Sequence, residues 1–195
     1  MKTSALLAIL VVIALAAALI VFSKPAYPMT AEDAKKFFIE DLKEKYPNAD
    51  VREVMAISNL TDSAGAPYFQ LKAQVTSGAA TPCPERIHVY YDYPPKNFVS
   101  QPPEYITRGC KVCINEPVCI LAFPEEAIIA SHTYPQTEAA GRFIRENSDA
   151  SATASFDPAS GVWAVRWVSG SSGGGFEVLL SKAQNKVLSV LPIGQ

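Results

Sequence analysis

The chain has 195 residues, 49% of them hydrophobic and 18% charged, with a formal net charge of −2. That apolar content supports a packed core and excludes a disordered tail. Its lysines and arginines are scattered, with no basic stripe, which argues against nucleic acid as a partner because phosphate neutralisation needs clustered positive charge.

Residues 1–24 read as a membrane segment. After "MKTS" comes "ALLAILVVIALAAALIVF", Ala5 to Phe22, without a charge or a strongly polar group. As a helix at ~1.5 Å rise per residue it spans about 27 Å, close to the thickness of a hydrocarbon core. A cleaved signal peptide usually has a shorter apolar region. Small-residue cleavage patterns do occur at Ala16–Ala18 and Val21–Ser23, so a cleaved signal is the alternative. Lysines flank both ends, and counting them does not set the orientation. The expectation is a single-pass anchor in the cytoplasmic membrane through residues 5–22, with the C-terminal domain outside the cytoplasm.

Residues 25–96 read as a first α+β unit. "TAEDAKKFFIEDLKEKYP" is a helix that Thr30 caps, with Asp33 as the reciprocal partner. Ala34, Phe37, Phe38, Leu42 and Tyr46 fall on one helical stripe, and Pro47 ends it. "ADVREVMAISNL" follows a strand period only in part. After the turn "TDSAGAP", "YFQLKAQVTS" alternates well, with Phe69, Leu71, Ala73 and Val75 on one side. "RIHVYYDY" puts Ile87, Val89, Tyr91 and Tyr93 on one face and His88, Tyr90 and Asp92 on the other. Residues 97–133 break the pattern and read as a Cys/Pro-rich insert or linker.

Residues 134–195 read as a second α+β unit. "YPQTEAAGRFIRENSD" echoes "YPMTAEDAKKFFIEDL", with Tyr134-Pro135-x-Thr137 against Tyr27-Pro28-x-Thr30. Strands "SATASFD", "VWAVRWV", "FEVLLSK" and "KVLSVLP" follow, the loop "SGSSGGG" among their connections. An internal duplication is the preferred explanation. The alternative is that the same helix entry arose twice.

The stretch from Val162 to Val190, and the helix opening "YPQTEAAGRFI", resemble the PepSY and cystatin-like group of small α+β domains. The likeness lies mainly in residues 134–192. The first half of the chain is matched only by element order and the Tyr-Pro-x-Thr echo. The family's turn normally carries a glycine before the last strand, where this chain has Asn185. The resemblance implies one helix lying across a curled antiparallel sheet in each unit. It also implies an extracytoplasmic setting and a role in binding or inhibiting peptidases or in assisting membrane enzymes. It supplies no catalytic residues.

Four cysteines remain: Cys83, and Cys110, Cys113 and Cys119 within "GCKVCINEPVC". Cys110 and Cys113 have the spacing of a redox dithiol, but no βαβ pattern precedes them and Pro117 makes a poor helix start. Zinc on all four would be tetrahedral, yet Cys83 has no close mate. Two disulfides fit best: the count is even, the domain is expected outside the cytoplasm, and a proline-rich loop has little core of its own. Sequence does not choose among their three connectivities.

His88, Tyr90 and Asp92 form a candidate cation or partner face, for which a solvated outer surface is the simpler reading. Trp163 and Trp167 share a strand face and read as core, or as a partner surface if exposed. Asn59 begins an Asn-Leu-Thr sequon. His132 has no evident partner. These features predict a membrane-anchored binding or interaction module for a protein or peptide, without catalysis or cofactor. The alternatives are a thiol-disulfide oxidoreductase using Cys110 and Cys113, and a structural envelope protein.

Overall fold

A computed structural model describes residues 30–93, 101–114, 118–183 and 186–194. The expected membrane segment at 1–24 and the turn residue Asn185 lie outside the described residues. Among the described residues, no helix is long and apolar enough to cross a membrane.

The first helix, α1 (Ala31–Lys45), starts as its sequence dictates. Asp33 N–H donates to Thr30 Oγ1 at 3.1 Å, and Thr30 N–H donates to Asp33 Oδ2 at 3.4 Å. Two otherwise orphaned N–H groups are thereby satisfied. Ala34, Phe38 and Leu42 are buried, whereas Phe37 stays 46% exposed at the edge of the stripe. Burying Phe38 and Leu42 contributes about 1.5–3 kcal/mol each.

Four antiparallel strands follow in sequence order: β1 (Val51–Thr61), β2 (Pro67–Ser77), β3 (Glu85–Tyr93) and β4 (Glu104–Thr107). The register of β1 against β2 shifts between Val54 and Ala56. That bulge changes the strand's phase, which is why its sequence keeps the two-residue period only in part. Leu71, Ala73 and Val75 of β2 and Ile87 and Val89 of β3 form the core beneath α1, with Phe69, Tyr91 and Tyr93 packed against it.

Next come helix α2 (Pro124–Thr133), a 3₁₀ turn (Pro135–Thr137) and helix α3 (Glu138–Glu146). A second sheet then runs β5 (Ser151–Asp157), β6 (Val162–Val168), β7 (Gly175–Ser181) and β8 (Lys186–Ile193), also antiparallel and in sequence order. Its core holds Leu121, Ala127, Ile128 and Ala130 against Trp163, Val165, Trp167, Val178 and Leu180. An added Cβ at Gly141 of α3 would lie 2.9 Å from the His132 carbonyl oxygen, so glycine lets α3 pass close to the end of α2.

The expected arrangement of two units, each of one helix on one sheet and joined by an irregular insert, is therefore corrected, while the expected transmembrane helix falls outside the described residues. The described chain forms two four-stranded antiparallel sheets and three short helices, none able to span a membrane. The span assigned to an irregular insert supplies β4 to the first sheet and α2 to the second core. The sequence marks only a helical turn at 124–130, because α2 is buried from Glu125 to Ser131 and so shows no one-sided period over its full length. The two threonines of the Tyr-Pro-x-Thr echo play different parts. Thr30 accepts a capping bond, whereas Thr137 Oγ1 donates back to Tyr134 O at 2.7 Å.

Candidate functional site

The four cysteines form two disulfides. Cys83 pairs with Cys110, Cα atoms 4.8 Å apart, and ties the β2–β3 connection to the turn after β4. Cys113 pairs with Cys119, Cα atoms 5.2 Å apart, and closes a short loop. Cys110 and Cys113 thus belong to different bridges, and the CxxC does not close on itself. Both residues have left-handed backbone, with φ of 58° and 53°. Such φ values are uncommon outside glycine, and the two bridges hold the turn in them.

A cleft of about 900 Å³ opens between β4 and the chain entering α2. Tyr105, Ile106, Ile114, Val118 and Ile120 give it apolar walls, and Arg108 and Lys182 stand at its rim. Among the described residues, the order of the first sheet leaves the outer edge of β4 without a strand partner. The loop bearing Val118 and Ile120 is fastened by the Cys113–Cys119 bridge, and both residues stay exposed, at 66% and 46%.

The cleft's acids are occupied inside the protein. Glu126 Oε2 accepts from Ala122 N–H at 2.8 Å and Phe123 N–H at 3.0 Å, which caps α2. Burial raises the Glu126 pKa above the usual carboxylate value, and those backbone donors oppose the rise. Glu104 Oε2 accepts from Tyr90 Oη at 2.7 Å and lies 3.3 Å from His88 Nδ1 and 3.7 Å from Lys72 Nζ. The Tyr90 hydrogen bond leads the causes that hold the Glu104 pKa below its ordinary value. The rim cations rest on rings instead. Arg108 lies 4.5 Å from the Tyr105 ring centroid and Lys182 4.9 Å from that of Phe156.

Behind the cleft a buried polar chain joins the first sheet to α2. Arg86 Nη1 donates to Glu125 Oε2 at 3.1 Å, and Thr76 Oγ1 donates to Glu125 Oε1 at 2.7 Å. Arg86 Nε donates to His88 Nε2 at 3.2 Å. Since a guanidinium only donates, Nε2 must accept, and Nδ1 carries the proton toward Glu104. Burial, then Lys72 and Arg86, lowers the His88 pKa, so the ring is neutral near pH 7. The Arg86 guanidinium also stacks 3.8 Å from the Phe123 ring centroid.

The structure scatters the other candidates. His88 is 2% exposed, which removes it from the solvated outer face expected for it. Tyr90 is half-buried and Asp92 exposed, so the three do not present a common surface. Trp163 and Trp167 are buried and cannot be a partner surface. Their indole N–H groups donate to Leu121 O and Ser131 Oγ, both at 2.8 Å. Asn59 is exposed on the outer strand β1. The glycine-serine loop is organised by Asp149, which accepts from Ser169 Oγ, Ser171 N–H and Ser171 Oγ at 2.8–2.9 Å.

No family model, curated protein or solved structure matches this chain. The cleft therefore has to be read from its own chemistry.

Sequence reasoning missed Arg86, Glu125, Arg108 and Lys182. A local hint existed for Arg86, which shares the polar strand face with His88 two positions on. "PEE" opening an apolar run likewise marks a helix start, where an acid both caps and faces inward. Nothing local places Arg108 and Lys182 in the lining of one cleft.

Proposed function

We propose that this chain is a membrane-tethered, extracytoplasmic interaction module that binds an extended peptide alternating apolar and acidic residues. The peptide would add as a strand along β4. Its backbone groups would pair with the open strand edge, which is how sheet-edge binders gain affinity. Alternate side chains would enter the cleft between Ile106 and Ile120. Acidic side chains on the other face would meet Arg108 and Lys182.

The observation that carries this reading is an apolar cleft lined by β4, a strand with no outer partner among the described residues, whose acids are used internally while its cations lie over rings. Two disulfides suit an oxidising compartment. The apolar run Ala5–Phe22 supports a tether in the cytoplasmic membrane.

The test is fluorescence anisotropy with the full chain in detergent and a labelled peptide of alternating Val and Glu. Saturable binding is expected, at least about tenfold weaker, or 1.4 kcal/mol, for a Val/Lys peptide. Arg108→Glu combined with Lys182→Glu should reverse that preference. N-methylation of alternate peptide nitrogens should abolish binding. Equal binding of the two peptides, or indifference to N-methylation, would reject the reading.

A further inference from the structure

The Cys83–Cys110 disulfide does not lie among inert neighbours. The two sulfurs and a ring nitrogen of His132, on the last turn of α2, all lie within 4.8 Å of one another. His132 Nε2 is 2.7 Å from Pro82 O. A carbonyl oxygen only accepts, so in the neutral ring Nε2 carries the proton and Nδ1 would be the nitrogen offered to a metal. A histidine that ligates a metal usually donates its other ring N–H to a backbone carbonyl or carboxylate in this way. The ring is further fixed edge-on against Trp167, centroids 5.6 Å apart.

We propose that Cys83, Cys110 and His132 form a redox-gated zinc site, closed while the disulfide stands and formed when it is reduced. A dithiol reductant supplies two electrons and two protons. The Cys83–Cys110 bond breaks to two thiols, and the reductant leaves as its own disulfide. Zinc(II) then binds two thiolates and the neutral imidazole, releasing the two thiol protons. Water fills the fourth tetrahedral position. Two soft thiolates with one imidazole favour zinc over magnesium or calcium, which prefer oxygen. Three ligand atoms within 4.8 Å need only small adjustment, because bonds of about 2.0–2.3 Å to one centre place ligands less than 5 Å apart. This site differs from a four-cysteine site, since Cys113 and Cys119 serve a separate bridge. It stands independently of the peptide reading.

Two experiments test it on the full chain in detergent, reduced with dithiothreitol and desalted without oxygen. In the first, cobalt(II) is titrated as a spectroscopic stand-in for zinc. One cobalt per chain should bind, with tetrahedral d–d bands and thiolate-to-cobalt charge transfer, and the oxidised chain should bind none. His132→Ala should weaken binding by about an order of magnitude or more, since loss of an outer-shell partner alone costs about 10–100-fold. In the second, which needs no variant, zinc chloride is added before alkylation with iodoacetamide and the cysteines are mapped by mass spectrometry. Protection of Cys83 and Cys110 alone is expected. Protection of all four, of Cys113 and Cys119 alone, or of none overturns the proposal. So does cobalt affinity unchanged in His132→Ala.

Discussion

Arg86 on β3 and Glu125 on α2 meet across 3.1 Å, joining the first sheet to the helix that covers the second, with both side chains almost sealed from water. Such a pair is costly to break rather than generous to form. Its charges have already lost their water, and each depends on the other.

Glu125→Ala should therefore destabilise the fold by about 3–5 kcal/mol, because it strands the Arg86 guanidinium in a buried place. Thr76 would lose its acceptor as well. The double replacement Arg86→Met with Glu125→Leu should restore most of that loss. Urea unfolding of the three proteins checks both expectations. A single variant within about 1 kcal/mol of wild type would mean the pair is not buried in solution.

His88 makes the same region sensitive to acid. It meets Arg86 on its own strand, Glu104 on β4 and Phe123 at the entry to α2, and feels the charge of Lys72 on β2. Protonation would set an Nε2–H against the Arg86 donor. The folded pKa lies below the ordinary 6.5, so the unfolded chain takes up a proton first as pH falls. The His88 contribution is complete above about pH 6.5 and is lost as pH falls through the lower folded value. His88→Gln, whose amide oxygen can accept from Arg86, should flatten that part of the pH–stability curve measured by urea unfolding. A curve of unchanged slope would remove His88 from this role.

The two disulfides should differ in worth. They close loops with sequence separations of 27 and 6 residues. Chain entropy alone gives about 3.5 kcal/mol for the longer and about 2 kcal/mol for the shorter. Cys83→Ser with Cys110→Ser should thus lower thermal stability more than Cys113→Ser with Cys119→Ser. The second pair of changes should instead weaken peptide binding, since it loosens the loop bearing Val118 and Ile120. Calorimetry and anisotropy on both double variants separate the effects.

Trp167 is fully buried, and its N–H is satisfied by Ser131. Trp167→Phe should cost roughly 1–3 kcal/mol, leaving the Ser131 hydroxyl with one partner fewer and some space unfilled. Trp167→Ala should cost about 3–5 kcal/mol. Neither should act directly at the cleft. Denaturation together with tryptophan emission, expected to be that of a buried indole, is the check. Water-exposed emission in the folded state would return these residues to the surface.

Much of this fold could be read locally. The Thr30–Asp33 cap, the Ala34, Phe38 and Leu42 stripe, and the alternation of Leu71, Ala73 and Val75 depend on neighbours a few positions apart. The polar side of β3 could not. Arg86 and His88 look like solvent-facing residues until α2, some forty positions later, covers them. The even cysteine count suggested bridges, but pairing is decided by which loops the strands bring together. The sequence by itself determined the Thr30 cap, the α1 stripe and the apolar faces of the regularly alternating strands, because those follow from backbone periodicity and burial of neighbouring side chains. Only the tertiary structure decided the cysteine partners, the cleft beside β4 and the closeness of His132 to Cys83 and Cys110. Each of these requires residues distant along the chain to share one place, and no local pattern records that distance.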